Sequence, residues 1–212
     1  MALKLHAHPL SSYCHKVLIA LYELEVPFDL AFLNLGDDAE RARFYALWPM
    51  GKMPVLEDTG TGVNLPESSI IIEYLNDRFG GSLIPGDKSQ ALGVRLWDRI
   101  FDLHIHHHMQ TFAAVLLRPE EHRDHYGVQQ AKDKLAVAYD MIDKRMADRQ
   151  WACGDIFSMA DCAAAPALFY AEQRVPFDGR THLADYLQRL KARPSYARAL
   201  KEAEPYFHMI PR

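Results

Sequence analysis

The sequence predicts two domains of different class. Residues 1–80 read as an α/β domain of order βαβαββα, residues 81–87 as a linker, and residues 88–212 as an all-helical domain. Three observations carry this reading. Strand and helix signals alternate through the first 80 residues. Gly80-Gly81-Ser82-Leu83-Ile84-Pro85-Gly86-Asp87 is the stretch richest in Gly and Pro, and beyond it the apolar period is helical.

Taken in order, Leu3 and Leu5 alternate with Lys4 and His6 as a short strand, and Val17, Leu18, Leu21 and Tyr22 recur at helical spacing. Phe28, Leu30 and Phe32 alternate again, so the chain opens with a β-α-β unit whose two strands are expected to be parallel and whose crossover is expected to be right-handed. A polar helix is expected from Asp38 to Ala46. Val55-Leu56-Glu57-Asp58, the turn Thr59-Gly60-Thr61-Gly62 and Val63-Asn64-Leu65 form an antiparallel hairpin pattern. Ile70, Ile71, Tyr74 and Leu75 make the apolar stripe of a further helix. In the second domain Leu96, Ile100 and Leu103 mark one helix, and Leu135, Tyr139, Ile142 and Met146 another.

Composition narrows the function. The chain of 212 residues is 49% hydrophobic and 25% charged, with 11 Gly and 12 Pro, which excludes collagenous and disordered classes. Lys and Arg number 24 against 28 Asp and Glu, and a net charge of −4 argues against a nucleic-acid partner. Cys14, Cys153 and Cys162 are an odd number at no metal-ligand spacing, so a reduced, cytoplasmic protein is expected. No apolar run approaches the roughly 18 residues of a membrane span.

Three stretches have the residue types for chemistry. Ser11-Ser12-Tyr13-Cys14 lies between the first strand and first helix, where unpaired backbone N–H groups favour an anion. Ser11 there either caps the helix or donates its hydroxyl to a bound thiolate. The spacing is that of the thioredoxin-type Cys-x-x-Cys motif with Ser11 in the first place and Cys14 in the second, which suits a reaction whose sulfur arrives with the substrate. Gly51-Lys52-Met53-Pro54-Val55 brings a Pro into a strand, either as an ordinary trans opening residue or as a cis peptide that turns the Met53 backbone toward a ligand. Pro66-Glu67-Ser68-Ser69-Ile70 precedes an apolar helix, where Glu67 or Ser68 caps it, or Ser68 holds a carboxylate while Glu67 pairs an ammonium.

In this order and spacing the three stretches resemble the cytosolic glutathione transferase family. His8-Pro9-Leu10-Ser11-Ser12-Tyr13-Cys14-His15-Lys16-Val17 is similar to the catalytic loop of its serine-type classes, such as phi, theta and zeta. The segment Gly51–Asp58 resembles the family's cis-proline segment, and Glu67-Ser68-Ser69-Ile70-Ile71 its γ-glutamyl-binding segment. Gly154-Asp155-Ile156-Phe157-Ser158-Met159-Ala160-Asp161 is similar to its buried capping box, with Ser158 and Asp161 at N-cap and N3 spacing. Tyr13 departs from the zeta-like Ser-Ser-Cys pattern, which counts against an isomerase of that class.

The resemblance implies a thioredoxin-like domain binding glutathione as co-substrate and a helical domain supplying the pocket for a small hydrophobic electrophile. It implies a detoxifying transferase that is a cytoplasmic homodimer, with neither a nucleic-acid nor a membrane partner. Ser11 would hydrogen-bond the glutathione sulfur, with Ser12 and Tyr13 as alternative or supporting groups. Met53, next to Pro54, would pair its backbone with the cysteinyl portion, and Glu67 with Ser68 would hold the γ-glutamyl head. Lys52, ahead of Arg41 and Arg43, would meet the glycine carboxylate. The same scaffold also serves glutathione-dependent isomerases, dehalogenases and non-enzymatic ligand carriers. His104, His106, His107 and His108 form the one histidine cluster; His104 and His108 stand one helical turn apart, but packing or pocket lining is the expected use and no metal is expected.

Overall fold

The computed structural model describes residues 3–210. Its contacts divide the chain into two units, one running to Leu83 together with Ser195–Phe207, the other Ile84–Pro194 with the described residues after Phe207. Four strands build the first unit: β1 (Leu3–Ala7), β2 (Asp29–Phe32), β3 (Val55–Asp58) and β4 (Val63–Pro66), in the spatial order β2-β1-β3-β4. β1 runs parallel to β2, as expected of the opening unit, and antiparallel to β3, which pairs antiparallel with β4.

The helices of this unit are α1 (Ser12–Glu23), α2 (Asp38–Leu47) and α3 (Ser68–Phe79). Leu3, Leu5 and Ala7 bury one side of β1 while Lys4 is exposed, the two-residue period of a strand with one covered face. α1 carries the apolar run Val17–Leu21, wholly buried, and packs with α3. α2 is polar, with Phe44 its one buried residue; Phe44 joins Leu33 and Val55 in a small core, against which Leu35, Leu47, Trp48 and Met53 pack. The hairpin is anchored to α3 by the buried Asp58, which accepts from the Gly60 N–H (2.9 Å) and the Tyr74 hydroxyl (2.6 Å) and pairs with Arg78 at 3.2 Å. The Tyr74 hydrogen bond, aided by the turn N–H groups and Arg78, holds its pKa below the usual carboxylate value.

The second unit holds α4 (Lys88–Ile100), a π-helical stretch Phe101–His106, α5 (His107–Leu116), α6 (His125–Met146), α7 (Met159–Glu172) and α8 (Thr181–Ala192). α7 is buried along nearly its whole length and packs with α4, α5, α8 and the π-helical stretch, the behaviour of a helix apolar all round. Its start is the capping box expected at Ser158 and Asp161. Asp161 is fully buried and accepts from the Ser158 N–H (2.9 Å), the Ser158 hydroxyl (3.0 Å), the Ala152 N–H (2.8 Å) and the Tyr186 hydroxyl (2.6 Å).

Three expectations are corrected. Ile70 is 51% exposed; Ile71, Ile72 and Leu75 form the buried stripe of α3. Leu96 and Leu103 face solvent, and the core positions there are Ala91, Val94, Trp97, Phe101 and Ile105. Residues 195–207, read as part of the helical domain, group with the first unit. The helix α9 (Pro194–Ala203), followed by a 3-10 helix Glu204–Met209, carries the Tyr196 ring edge-on to His15 of α1 at 6.0 Å. The Ser195 hydroxyl donates to Glu23 and the Tyr22 hydroxyl to Glu202, both at 2.5 Å.

Asp161→Ala is expected to lower stability by about 2–4 kcal/mol, more than the ~1 kcal/mol usual for a lost cap, because it strands buried donors on Ala152, Ser158 and Tyr186. Urea unfolding measures this; a loss under ~1 kcal/mol would show that water replaces the carboxylate.

Candidate functional site at one end of the sheet

Strand register brings the three stretches together. His6 stands opposite Val55, and Val55 opposite Pro66. The residues just beyond the pairing, the loop from His8 to Ser11, Met53-Pro54 and Glu67-Ser68, therefore lie side by side at one end of the sheet. Ala7 pairs with Phe32 of β2 at the same end.

The loop before α1 is held by its own histidines. The Ser11 N–H donates to the His8 carbonyl (3.0 Å), the Leu10 N–H donates to His8 Nδ1 (3.1 Å), and His15 Nε2 lies 2.5 Å from the Pro9 carbonyl. Ser11 is the N-cap of α1, its Oγ accepting from the Cys14 N–H at a long 3.4 Å. The cap reading of Ser11 is thus realised, and a hydroxyl proton remains on the same oxygen to donate. Ser12 is buried and Tyr13 half-buried. Burial pushes the Cys14 thiol up to about 11, against the opposing effects of the Ser11 hydroxyl and the His8 backbone, so it is no nucleophile at neutral pH.

The Met53–Pro54 bond is cis. The Met53 side chain rests on the Phe44 core, and its backbone N–H and carbonyl meet no hydrogen-bond partner among the described residues. Glu67 sits at φ +69°, a backbone conformation that a residue with a long side chain adopts at a cost. Its carboxylate is exposed, caps nothing, and has no ion-pair partner among the described residues. Ser68 is buried in the first turn of α3. Beside it the buried Lys16 of α1 donates from Nζ to Ser69 Oγ at 2.8 Å. An ammonium next to a helix N-terminus adds positive charge to positive partial charge, so this corner favours an anion.

The three cations suggested for a carboxylate differ in setting. Arg41 is engaged by Asp38 at 2.5 Å and by the Leu35 carbonyl at 3.0 Å. Arg43 lines a separate cleft of about 360 Å³ between α2 and the sheet, walled also by Lys4, His6, Glu40 and Glu57. Lys52 is exposed, has no ion-pair partner among the described residues, and adjoins Met53.

A family model for the glutathione S-transferase N-terminal domain matches residues 5–83, and one for the glutathione S-transferase C-terminal domain matches residues 104–194. The chain belongs to the glutathione S-transferase family. Among similar family members, a glutathione S-transferase of Silene vulgaris is 27% identical, with 94% of this chain and 97% of that one aligned. A solved glutathione S-transferase of Methylobacterium radiotolerans, in complex with glutathione sulfonate, superposes with a TM-score of 0.82 at 28% identity over 94% of each chain. Another, from Methylobacillus flagellatus with GSH bound, gives 0.82 at 27% identity over 93% of this chain and 98% of that one.

In this glutathione S-transferase family member the histidine cluster does not have the geometry read from an α-helix. Phe101–His106 is π-helical, so the four-residue spacing of His104 and His108 no longer measures one turn. Among the described residues no group of three or more His, Cys, Asp or Glu is arranged to hold a metal ion. Burial, with the charges of His107, His104 and Lys134, lowers the pKa of His108. Likewise, no helix of the described residues is long and apolar enough to cross a membrane. Sequence reasoning missed the roles of His8, His15 and Lys16. Lys16 carried a signal, being the one charge that interrupts the buried face of α1.

Burial holds His15 neutral, its pKa driven down to about 4 from 6.5. The unfolded chain binds this proton at higher pH than the native one, so stability is full above about pH 6.5 and lost as pH falls toward 4. The expected loss is up to about 3 kcal/mol, and His15→Gln, which keeps a donor for the Pro9 carbonyl, should flatten that slope in urea titrations at pH near 7 and near 5. An identical slope in the variant would assign it to other groups.

Proposed function

We propose that this chain binds glutathione at the sheet end, stabilises its thiolate, and transfers it to a small hydrophobic electrophile. The observation that carries the reading is the strand register that sets Ser11, the Met53 backbone and Glu67-Ser68 side by side. Relatives solved with GSH and with glutathione sulfonate support the choice of ligand.

In this reading the γ-glutamyl head lies at the start of α3. Its carboxylate meets Ser68 and the N-terminal N–H groups, with the buried Lys16 ammonium close by, and its ammonium meets Glu67. The backbone of Met53, beside Pro54, pairs with the cysteinyl portion, and Lys52 faces the glycine carboxylate. The sulfur then reaches Ser11 at the start of α1, with Ser12 and Tyr13 as neighbours. A thiol of pKa about 8.5 is only ~3% ionised at pH 7, and a drop of two units needs about 2.7 kcal/mol of preferential thiolate stabilisation. One hydroxyl hydrogen bond together with a helix N-terminus is of the right size. Holding both reactants in place does the rest of the work on the barrier.

The protein is proposed to act as a cytoplasmic homodimer. Leu92, Leu96 and Leu103 leave an apolar surface on the α4 side of the helical unit, which supports a second copy as partner, and the free Cys14, Cys153 and Cys162 suit a reducing compartment.

Ser11→Ala should raise the pKa of bound glutathione, read from thiolate ultraviolet absorbance, by about one to two units and cut conjugation at pH 7 by roughly ten- to a hundredfold, with glutathione affinity largely kept. An unshifted pKa in this variant, with a shift in Ser12→Ala or Tyr13→Phe, would move the role to that neighbour. Glu67→Gly separates binding from folding: it relieves the positive φ and should melt no lower than the parent, yet bind glutathione at least about tenfold more weakly. Unchanged affinity would remove Glu67 from the site.

A further inference from the structure

Two hydrogen bonds of the Ser11 loop, from the Leu10 and Ser11 N–H groups to His8, are internal to it. They set its shape and leave its position to other contacts. The bond at Pro9 is of a different kind. Proline has no backbone N–H, so its carbonyl is the one main-chain group by which Pro9 can be tied down. The group that meets it is His15 Nε2, one turn into α1, at 2.5 Å. A carbonyl only accepts, so Nε2 carries the proton and donates. The ring has no exposed surface, and burial holds it neutral at pH 7, its pKa driven down to about 4.

The ring is held in turn from the side of α9. Tyr196 stands edge-on to it, and α9 is fastened to α1 before and after that contact. Ser195 donates to Glu23, and Tyr22 donates to Glu202. The Arg198 guanidinium lies 4.0 Å over the Tyr22 ring and pairs with Glu202 at 2.9 Å. Glu202 is the charge that acts on His15, raising its pKa against the larger effect of burial. All of these residues belong to the first unit.

Ser11 gains from such support. Its cap bond to the Cys14 N–H is long, 3.4 Å, so the direction of its hydroxyl follows mainly from the course of the backbone through Pro9-Leu10-Ser11. A hydrogen bond weakens steeply with misalignment, and a shift of about 1 Å in a positioned group is enough to cost a hundredfold in rate. Resting on the glutathione reading above, we propose that His15 is a positioning residue for Ser11: it anchors the Pro9 carbonyl and, backed by Tyr196 of α9, keeps the Ser11 hydroxyl aimed at the glutathione sulfur. In this role His15 transfers no proton and acts only through the loop, as its burial requires. The return segment thereby acts on the chemistry through one buried ring.

Ultraviolet titration of glutathione bound to the full chain tests this, run from about pH 5.5 to 9, where His15 stays neutral. Calorimetry with S-methylglutathione, which has no thiol to ionise, reports binding separately. His15→Leu fills much of the same space without a donor and should raise the pKa of the bound thiol by about one unit, with S-methylglutathione affinity within about twofold of the parent. His15→Gln, whose amide can donate to the Pro9 carbonyl, should return the pKa to within ~0.3 unit of the parent. In the Ser11→Ala background His15→Leu should add nothing, because the hydroxyl it positions is gone. Tyr196→Leu leaves both partners of the bond in place but loosens the ring; it should shift the pKa the same way by about half a unit, and it carries the test should His15→Leu fail to fold. A parent-like pKa in His15→Leu or Tyr196→Leu, a full shift in His15→Gln, or an added shift on top of Ser11→Ala would overturn the positioning role and leave the glutathione reading standing. A fall in S-methylglutathione affinity in step with the pKa change would make His15 a support of the whole site and overturn it likewise. A parent that binds no glutathione, or binds it without lowering the pKa of its thiol, would overturn both readings.

Discussion

The candidate site of the first unit depends on the register of four short strands. Residues far apart in the sequence become neighbours because His6 pairs with Val55 and Val55 with Pro66. A slip of one residue in either ladder would turn the buried side of a strand outward, since side chains alternate between faces. Leu5 and Leu56, both with no exposed surface, stand opposite each other and make such a slip costly. The candidate site is therefore placed by the core, and the hydrogen bonds of the His8–Ser11 loop add to that placement.

Two buried charges tune that arrangement from behind. Lys16 crosses from α1 to the first turn of α3, tying the helix that starts at the serine cap to the helix that starts at Glu67-Ser68. An ammonium out of water is costly unless hydrogen-bonded, and Ser69 supplies one such bond here. Asp58 does the opposite work at the far end of β3, where the turn N–H groups, Tyr74 and Arg78 satisfy it fully and lock the hairpin to α3. The first charge lies beside the candidate site; the second is spent on the fold.

Much of this was legible in the chain itself. Period-two alternation gave β1, the Thr59–Gly62 turn gave the hairpin, and the spacing of Ser158 and Asp161 gave the buried cap, because each is a local pattern with a local cause. What stayed hidden depends on partners distant in sequence. Ile70 and Ile71 look alike in a helical period, yet only Ile71 turns inward, the choice being made by where α3 packs. Leu96 is exposed because α4 turns Ala91, Val94 and Trp97 inward, and Leu103 lies in the π-helical stretch, which no residue type announces. Among the site residues, Ser11, Met53, Glu67 and Ser68 stood out by spacing. His8 and Lys16 owe their roles to a turn and to a helix contact that spacing does not encode.

The return of residues 195–207 to the first unit makes that unit discontinuous in the chain, with the helical unit inserted between its two parts. The outer surface of α1, against which Tyr196 and Glu202 come to rest, is thus covered by residues that follow the helical unit in the chain. On a ribosome that builds from the N-terminus, the sheet and its helices emerge before residues 195–207 and remain open on one side while the helical unit between them is made. Completion of the sheet-bearing unit is in this way coupled to the arrival of residues 195–207, and a chain cut short before Ser195 would carry the candidate site residues on a unit lacking part of its own covering.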